Sequence, residues 1–460
     1  MSDLRVGCGA AGEPDRPELA HQMVRDGHVD YVCFDTLAER TLAAAQLRRA
    51  ADPTAGYDLH LRERVGAAIA PALEHGTVLL GNMGAANPAA AAETLAETAR
   101  ADGVPELTVA VVEGDDELDA VRSGELPVRL WDGGDLGALR PRLVSANAYL
   151  GAAPIAEALA AGADVVVTGR GADVAPYLAA IGHRYGWAPD DWDRLAAAAA
   201  VGHLLECGRC VTGTCYEEPA FGRLAPDPGH ASLPLATVAP DGTAVISKVP
   251  GSGGLVTRGS CAEQLLHEIG DPARYLTPDV TLDMTAIELT EVAPDHVRVS
   301  GARGGPPPDE LKLLLGIDEG WFAEGEASFA GPGAVAKARR AAAIVRDRFA
   351  ATGHAALDAR EDLIGLDSVL GPATPATAAE PWEVRLRLAV RVADAESAAA
   401  FALECEDLWW APGVGGGGVR TATRPVLGMH AASAPRAAIG HRVTVTAHRF
   451  DRAEAAHAGR

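Results

Sequence analysis

Over the first 200 residues, short apolar runs alternate with amphipathic stretches. Apolar runs at 5–9, 30–35, 77–82, 107–113, 142–147 and 164–168 predict strands. Stretches at 18–25, 38–50, 88–101, 154–161 and 174–185 space their apolar residues as helices do. Strands that are apolar at every position, such as Val-Val-Val at 165–167, belong to a sheet covered on both faces. The alternation predicts an α/β domain over residues 1–218, a mostly parallel sheet with flanking helices. After residue 219 proline and glycine punctuate shorter strands, and residues 219–371 read as a mixed β/α segment with a Gly-rich turn at 251–254. Residues 382–392 alternate with period two, a helix follows at 395–407, and two more strands follow a Gly-rich loop. This βαββ pattern at 372–460, packed with the preceding segment, predicts a smaller α+β, split βαβ-like second domain.

In a parallel sheet ligands bind beyond the carboxyl ends of the strands, and polar residues gather there. Asp35, Glu39 and Arg40 follow the second strand, Asn82 and Asn87 the third, Asn147 the fifth, and Thr168, Arg170 and Asp173 the sixth. Any one of them alone reads as a helix cap or turn former. Their concentration on one edge reads as a cleft. The run G-C-G-A-A-G at 7–12 has the glycines of a dinucleotide loop, but Glu13-Pro14-Asp15 follows where a helix should begin, so no nicotinamide cofactor is expected. Lys248 with Ser252, Gly253 and Gly254 makes either a backbone cradle for a carboxylate or an ordinary hairpin turn.

A formal charge of −23 argues against a nucleic-acid partner, which requires basic surface. Seven cysteines, four of them scattered singly, do not form a disulfide framework. There is no secretory h-region and no run of the ~18 apolar residues that span a bilayer, so a cytoplasmic protein is expected.

Reactive chemistry concentrates in one stretch, V-G-H-L-L-E-C-G-R-C-V-T-G-T-C-Y-E-E-P at 201–219. His203, Cys207, Cys210 and Cys215 give H-x3-C-x2-C-x4-C, a spacing compatible with a Cys3His zinc site. Alternatively Cys207 is a nucleophile whose pKa is lowered by His203 one helical turn earlier, with Glu206 as acid or base. The plainest alternative is a helix ending at Gly208 with Cys207 packed as a small apolar side chain.

Several motifs carry a resemblance: A-E-R-T-L-A-A-A-Q-L-R (38–48), G-N-M-G-A-A-N-P (81–88), S-A-N-A-Y-L-G (145–151), G-A-D-V-V-V-T-G-R (162–170), G-H-L-L-E-C-G (202–208), K-V-P-G-S-G-G (248–254), E-Q-L-L-H-E-I-G-D-P (263–272) and V-R-V-S-G-A-R-G (297–304). In these the chain resembles the acyclic terpene utilisation AtuA family, over nearly its whole length. The resemblance implies a role in catabolism of acyclic isoprenoid acids through CoA thioesters, with a small companion domain supplied in trans. It marks Cys210 and Cys215 as local variation and leaves His203, Glu206 and Cys207 as the shared core. The expectation is an enzyme acting on a small branched carboxylic acid, or its CoA or carrier thioester, by lyase or hydratase chemistry. His203 and Glu206 form the acid/base pair, with Cys207 as a supporting or nucleophilic thiol. Arg170, Asp173, Lys248, Ser252, Gly253 and Gly254 contact the substrate, and Asn82, Asn87 and Asn147 bond a carbonyl or hydroxyl. No cofactor or membrane partner is expected, and a homo-oligomer is. The alternatives are a non-catalytic subunit of a two-component complex and a zinc protein using the cysteine turn.

Overall fold

A computed structural model describes residues 2–213, 224–375, 380–410 and 415–450. The chain divides into two compact units, Met1–Leu315 with Met429–Arg460, and Gly316–Gly428.

The first unit is built on a ten-stranded sheet. Its centre is parallel, in the order Leu4–Ala10, Tyr31–Phe34, Val78–Gly81, Val165–Thr168, Glu106–Glu113. These are the predicted strands, and their fully buried runs match a sheet covered on both faces. Helices Pro17–Asp26, Glu39–Ala51, Pro88–Ala101, Ala153–Ala160 and Ala175–Tyr185 lie close to their predicted bounds. Around this parallel centre the sheet is mixed. Pro234–Val238, Ala244–Lys248, His296–Ser300 and Glu288–Ala293 extend it antiparallel from Leu4–Ala10. Arg442–Arg449 closes the other edge, antiparallel to Glu106–Glu113. Sequence beyond residue 219 thus belongs to the same sheet as the first strand.

A difference concerns the strand predicted at 142–147. It forms at Leu143–Ala148, but pairs with the strand beginning at Glu310 and not with the ten-stranded sheet. Tyr149 N–H donates to the Lys312 carbonyl at 2.9 Å, which fixes this register. A helix at Ala67–His75, opened by a π-turn at Arg62–Gly66, is absent from the sequence reading. Its entry depends on Arg64, fully buried and ion-paired with Asp58, and hydrophobic periodicity does not signal a buried arginine.

The helix Trp192–Glu206 is buried at almost every position from Leu195 onward. Helices apolar on every face lie inside a core, and alanine is the residue that lets neighbours approach one closely. At Gly202 even a Cβ would lie 3.1 Å from Val174 and 3.2 Å from Tyr177. Gly208, in the left-handed region at φ +53, ends the run just beyond the helix.

The second unit has its own core, formed by Phe329, Val345, Phe349, Leu386, Val390 and Phe401 among others. Glu383–Val392 pairs antiparallel with both Ala356–Ile364 and the strand Glu310–Ala330, and helices Ala334–Ala351 and Ala395–Glu406 pack against it. Its cross-strand charges are matched: Arg385 bonds Glu326, and Arg387 bonds both Glu324 and Asp362. The Gly-rich loop predicted at 413–419 lies partly outside the described residues. Among the described residues no helix is long and apolar enough to cross a membrane.

One carboxylate ties the later part of the first unit to the earlier. Asp279 accepts from the Ala152 N–H at 2.9 Å, beside the helix Ala153–Ala160, and a Cβ at Gly151 would lie 2.5 Å from its Oδ1. Burial raises its pKa to about 6. Because the unfolded chain releases this proton near pH ~4, its stabilising contribution is complete below that pH and is lost as pH rises through about 6. In urea unfolding from about pH 4 to pH 7, the wild type is expected to lose stability relative to Asp279→Asn, whose side chain does not titrate. A difference that stays constant with pH would refute this.

Candidate active-site cleft

The first unit contains a cleft of about 910 Å³ at the carboxyl ends of its parallel strands, within the range of small-molecule sites. Its inner end is lined by Asp173, His203, Glu206 and Tyr275, and its outer part by Glu39, Trp131, Tyr149 and Lys312.

The last turn of helix Trp192–Glu206 places His203 and Glu206 three positions apart, hence on one face. The His203 Nδ1 lies 3.2 Å from Glu206 Oε1, and the Leu265 and Gln264 backbone also interacts with the ring. The ring leans on Tyr275, 5.4 Å between centroids, and burial lowers its pKa, so His203 is a neutral base. Glu206 goes the other way. Burial, and after it the neighbouring Asp173 charge, push its carboxyl well above the ordinary range, and it stands in the acid form at neutral pH.

Cys207 donates its S–H to Glu206 Oε2 at 3.2 Å. Burial is the main cause that raises the thiol pKa. This corrects the expectation that His203 activates the thiol, because the imidazole faces Glu206 and burial opposes thiolate. For the zinc alternative, Cys215 lies outside the described residues and Cys210 is disulfide-bonded. Among the described residues no group of three His, Cys, Asp or Glu is placed to hold a metal ion.

A buried polar network stands behind the inner wall. The Arg170 guanidinium donates to Asp173 and to the Leu37 carbonyl, both at 2.8 Å, and stacks on the Tyr149 ring at 4.0 Å. Burial opposes its charge, but Asp173, Tyr149 and Asp35 outweigh burial and raise its pKa. Asn82 donates to Asp35 at 2.6 Å while its carbonyl accepts from the Thr36 N–H at 2.7 Å. Asn147 donates to Asp115 at 2.9 Å and accepts from Gln46 at 3.0 Å. Desolvation raises Asp115 to about 6, and it raises Asp35 as well, helped by the Asp173 charge.

The outer part holds an ion pair. Glu39 Oε1 accepts from the Tyr149 hydroxyl at 2.8 Å and from Lys312 Nζ at 3.0 Å. Burial alone would raise this carboxyl, but Lys312, with the Tyr149 hydrogen bond, holds it at about 2. The Lys312 ammonium also stands 4.4 Å from the Tyr149 ring centroid and 5.8 Å from that of Trp131.

The predicted site residues are therefore only partly brought together. His203, Glu206 and Asp173 line the cleft. Arg170, Asn82 and Asn147 are buried behind it, already partnered, and shape it without reaching it. Asn87 is the N-cap of helix Pro88–Ala101, and its amide donates to the Pro53 and Ala55 carbonyls. Lys248 lies elsewhere, with Nζ donating to the Ser252 carbonyl at 2.6 Å and 3.4 Å from Asp295. Nor does its turn form an anion cradle, because Gly253 and Gly254 spend their N–H groups on the His230 and Pro226 carbonyls. Sequence reading did not assign Tyr149, Tyr275, Trp131 or Lys312 to the site. Tyr149 had a signal, two residues after Asn147 in S-A-N-A-Y-L-G, and Lys312 is one of only three lysines.

With its thiol held protonated by burial, Cys207 is expected to react with iodoacetamide at neutral pH more slowly than free cysteine. Peptide mass spectrometry over a time course measures the rate, and rapid wild-type labelling would show the thiol to be activated after all.

No curated protein sequence and no solved structure matches the chain. The family model described as acyclic terpene utilisation family protein AtuA matches it over residues 4–445, which takes in all the elements that build the cleft. The chain belongs to this acyclic terpene utilisation family.

Proposed function

We propose that the protein is an enzyme acting on a small branched carboxylic acid of the acyclic isoprenoid type, or its CoA or carrier thioester, by lyase or hydratase chemistry. The observation that carries this reading is the pairing, in one buried turn and 3.2 Å apart, of a carboxyl kept in its acid form with an imidazole kept neutral. Environments that drive two titratable groups apart are how one site supplies both a proton donor and a proton acceptor.

In the hydration direction Glu206 gives its proton to one alkene carbon. Water adds to the other carbon, and His203 takes the proton that water loses. Elimination reverses each transfer, so the pair returns to its starting state once protons equilibrate with solvent. The Tyr275 hydroxyl, whose pKa is raised by burial and then by Asp173 and Glu206, remains a hydrogen-bond donor to an oxygen in the cleft. Arg170, Asn82 and Asn147 act as positioning residues, holding Asp173, Asp35 and Asp115 in place. The isoprenoid class rests on family membership, and the cleft suits a carbon skeleton, with Leu276, Pro278, Pro306 and Leu311 on its walls.

Glu206→Gln retains shape and removes the proton donor. Turnover of an isoprenoid acid or thioester is expected to fall by about 10²–10⁴-fold with an unchanged circular dichroism spectrum. Near-normal turnover in a folded variant would sink the assignment.

A further inference from the structure

Resting on that reading, we infer that the substrate is taken as the free acid, and that its carboxylate binds between Lys312 and Tyr149 by displacing Glu39. Three observations lead there.

The first is that a carboxylate receptor is already built and occupied. Glu39 Oε1 lies 2.8 Å from the Tyr149 hydroxyl and 3.0 Å from Lys312 Nζ, inside the cleft. The receptor is preorganised. Arg170 stacks on the Tyr149 ring at 4.0 Å, and the Tyr149 backbone bonds the Lys312 carbonyl, so both donors are fixed relative to one another. Preorganised donors cost a ligand little ordering free energy.

The second is that Glu39 can leave. Its side chain is 45% exposed and Lys312 is 32% exposed, so the pair faces the open part of the cleft. Half-exposed ion pairs contribute little net stability because water offers each partner an alternative. An incoming carboxylate makes the same two hydrogen bonds, and Glu39 moves into water. Glu39 begins its helix, so this exchange asks for a side-chain rotation at the helix N-terminus and no movement of the helix.

The third is the charge balance around the cleft. Its lining holds six carboxyl side chains, at Glu39, Asp173, Glu206, Glu268, Asp309 and Glu310, against three cations, Arg129, Arg274 and Lys312. Arg129 is bonded to Glu310 and Lys312 to Glu39. Such a lining accepts one negative charge by exchange, but repels the several phosphate charges of a CoA thioester. A thioester has also lost the carboxylate that the Lys312–Tyr149 receptor recognises.

Isothermal titration of the full-length protein with geranate and with geranoyl-CoA tests the assignment in wild type, Glu39→Gln and Lys312→Met. Geranate is expected to bind wild type and to bind Glu39→Gln about tenfold more tightly, since a neutral amide competes poorly for the ammonium. Lys312→Met should weaken geranate by tenfold or more, and geranoyl-CoA should bind wild type more weakly than geranate. Misfolding cannot mimic the gain in Glu39→Gln, so that variant keeps the test decisive if Lys312→Met fails to fold. Tighter binding of geranoyl-CoA, or unchanged or weaker geranate binding in Glu39→Gln, overturns the inference and leaves the acid/base reading standing. Binding of neither ligand to any variant overturns both.

Discussion

The buried guanidinium of Arg170 makes the carboxyl ends of the parallel strands a tolerable place for so many acids. It is only 2% exposed and is tied to Asp173, the Leu37 carbonyl and the Tyr149 ring, while its own backbone N–H donates to Asp115. A buried cation is retained only when its donors are used and opposite charge is close. For Arg170 the opposite charge is supplied by Asp173, which lines the cleft wall. That anion then helps hold Glu206 in its acid form. Loss of Arg170 would reach Glu206 without touching it, by changing which carboxyls in the cluster carry charge.

The same cleft treats two glutamates in opposite ways. Glu39, beside an ammonium and a phenol, is held ionised to about 2, while Glu206, beside a thiol, an imidazole and another acid, is held protonated. Two identical side chains thereby become an anion and a proton donor. Chain position does not determine which is which. The nearest charge and the depth of burial do.

The parallel centre of the sheet was legible in the sequence because strands covered on both faces are apolar throughout, and Val165–Thr168 and Tyr31–Phe34 have no polar position to confuse the pattern. His203 and Glu206 were legible because a single helix carries both. The antiparallel strands were harder to place. Those of Glu288–Ala293 are largely exposed, and Leu143–Ala148 resembles its neighbours although its hydrogen bonds go to a strand more than 150 residues later. Lys248 was misleading for a related reason. A lysine beside glycines looks identical in sequence whether the glycine N–H groups are free or spent, and only Pro226 and His230, folded back onto the turn, decide it. Tyr275 and Lys312 reach the cleft from distant segments, and local pattern does not encode that convergence.

The strand Arg442–Arg449 has a consequence for how the chain is made. Its partner, Glu106–Glu113, lies at the edge of the parallel sheet, and the paired Glu113 and Arg442 are 329 positions apart. At a synthesis rate of ~5–20 residues per second, the partner emerges from the ribosome roughly 20–60 seconds before the strand that covers it. Through that interval Glu106–Glu113 presents unpaired N–H and C=O groups, the kind of edge that recruits strands from other chains. The nascent protein must therefore keep this edge from pairing wrongly until the strand Arg442–Arg449 appears.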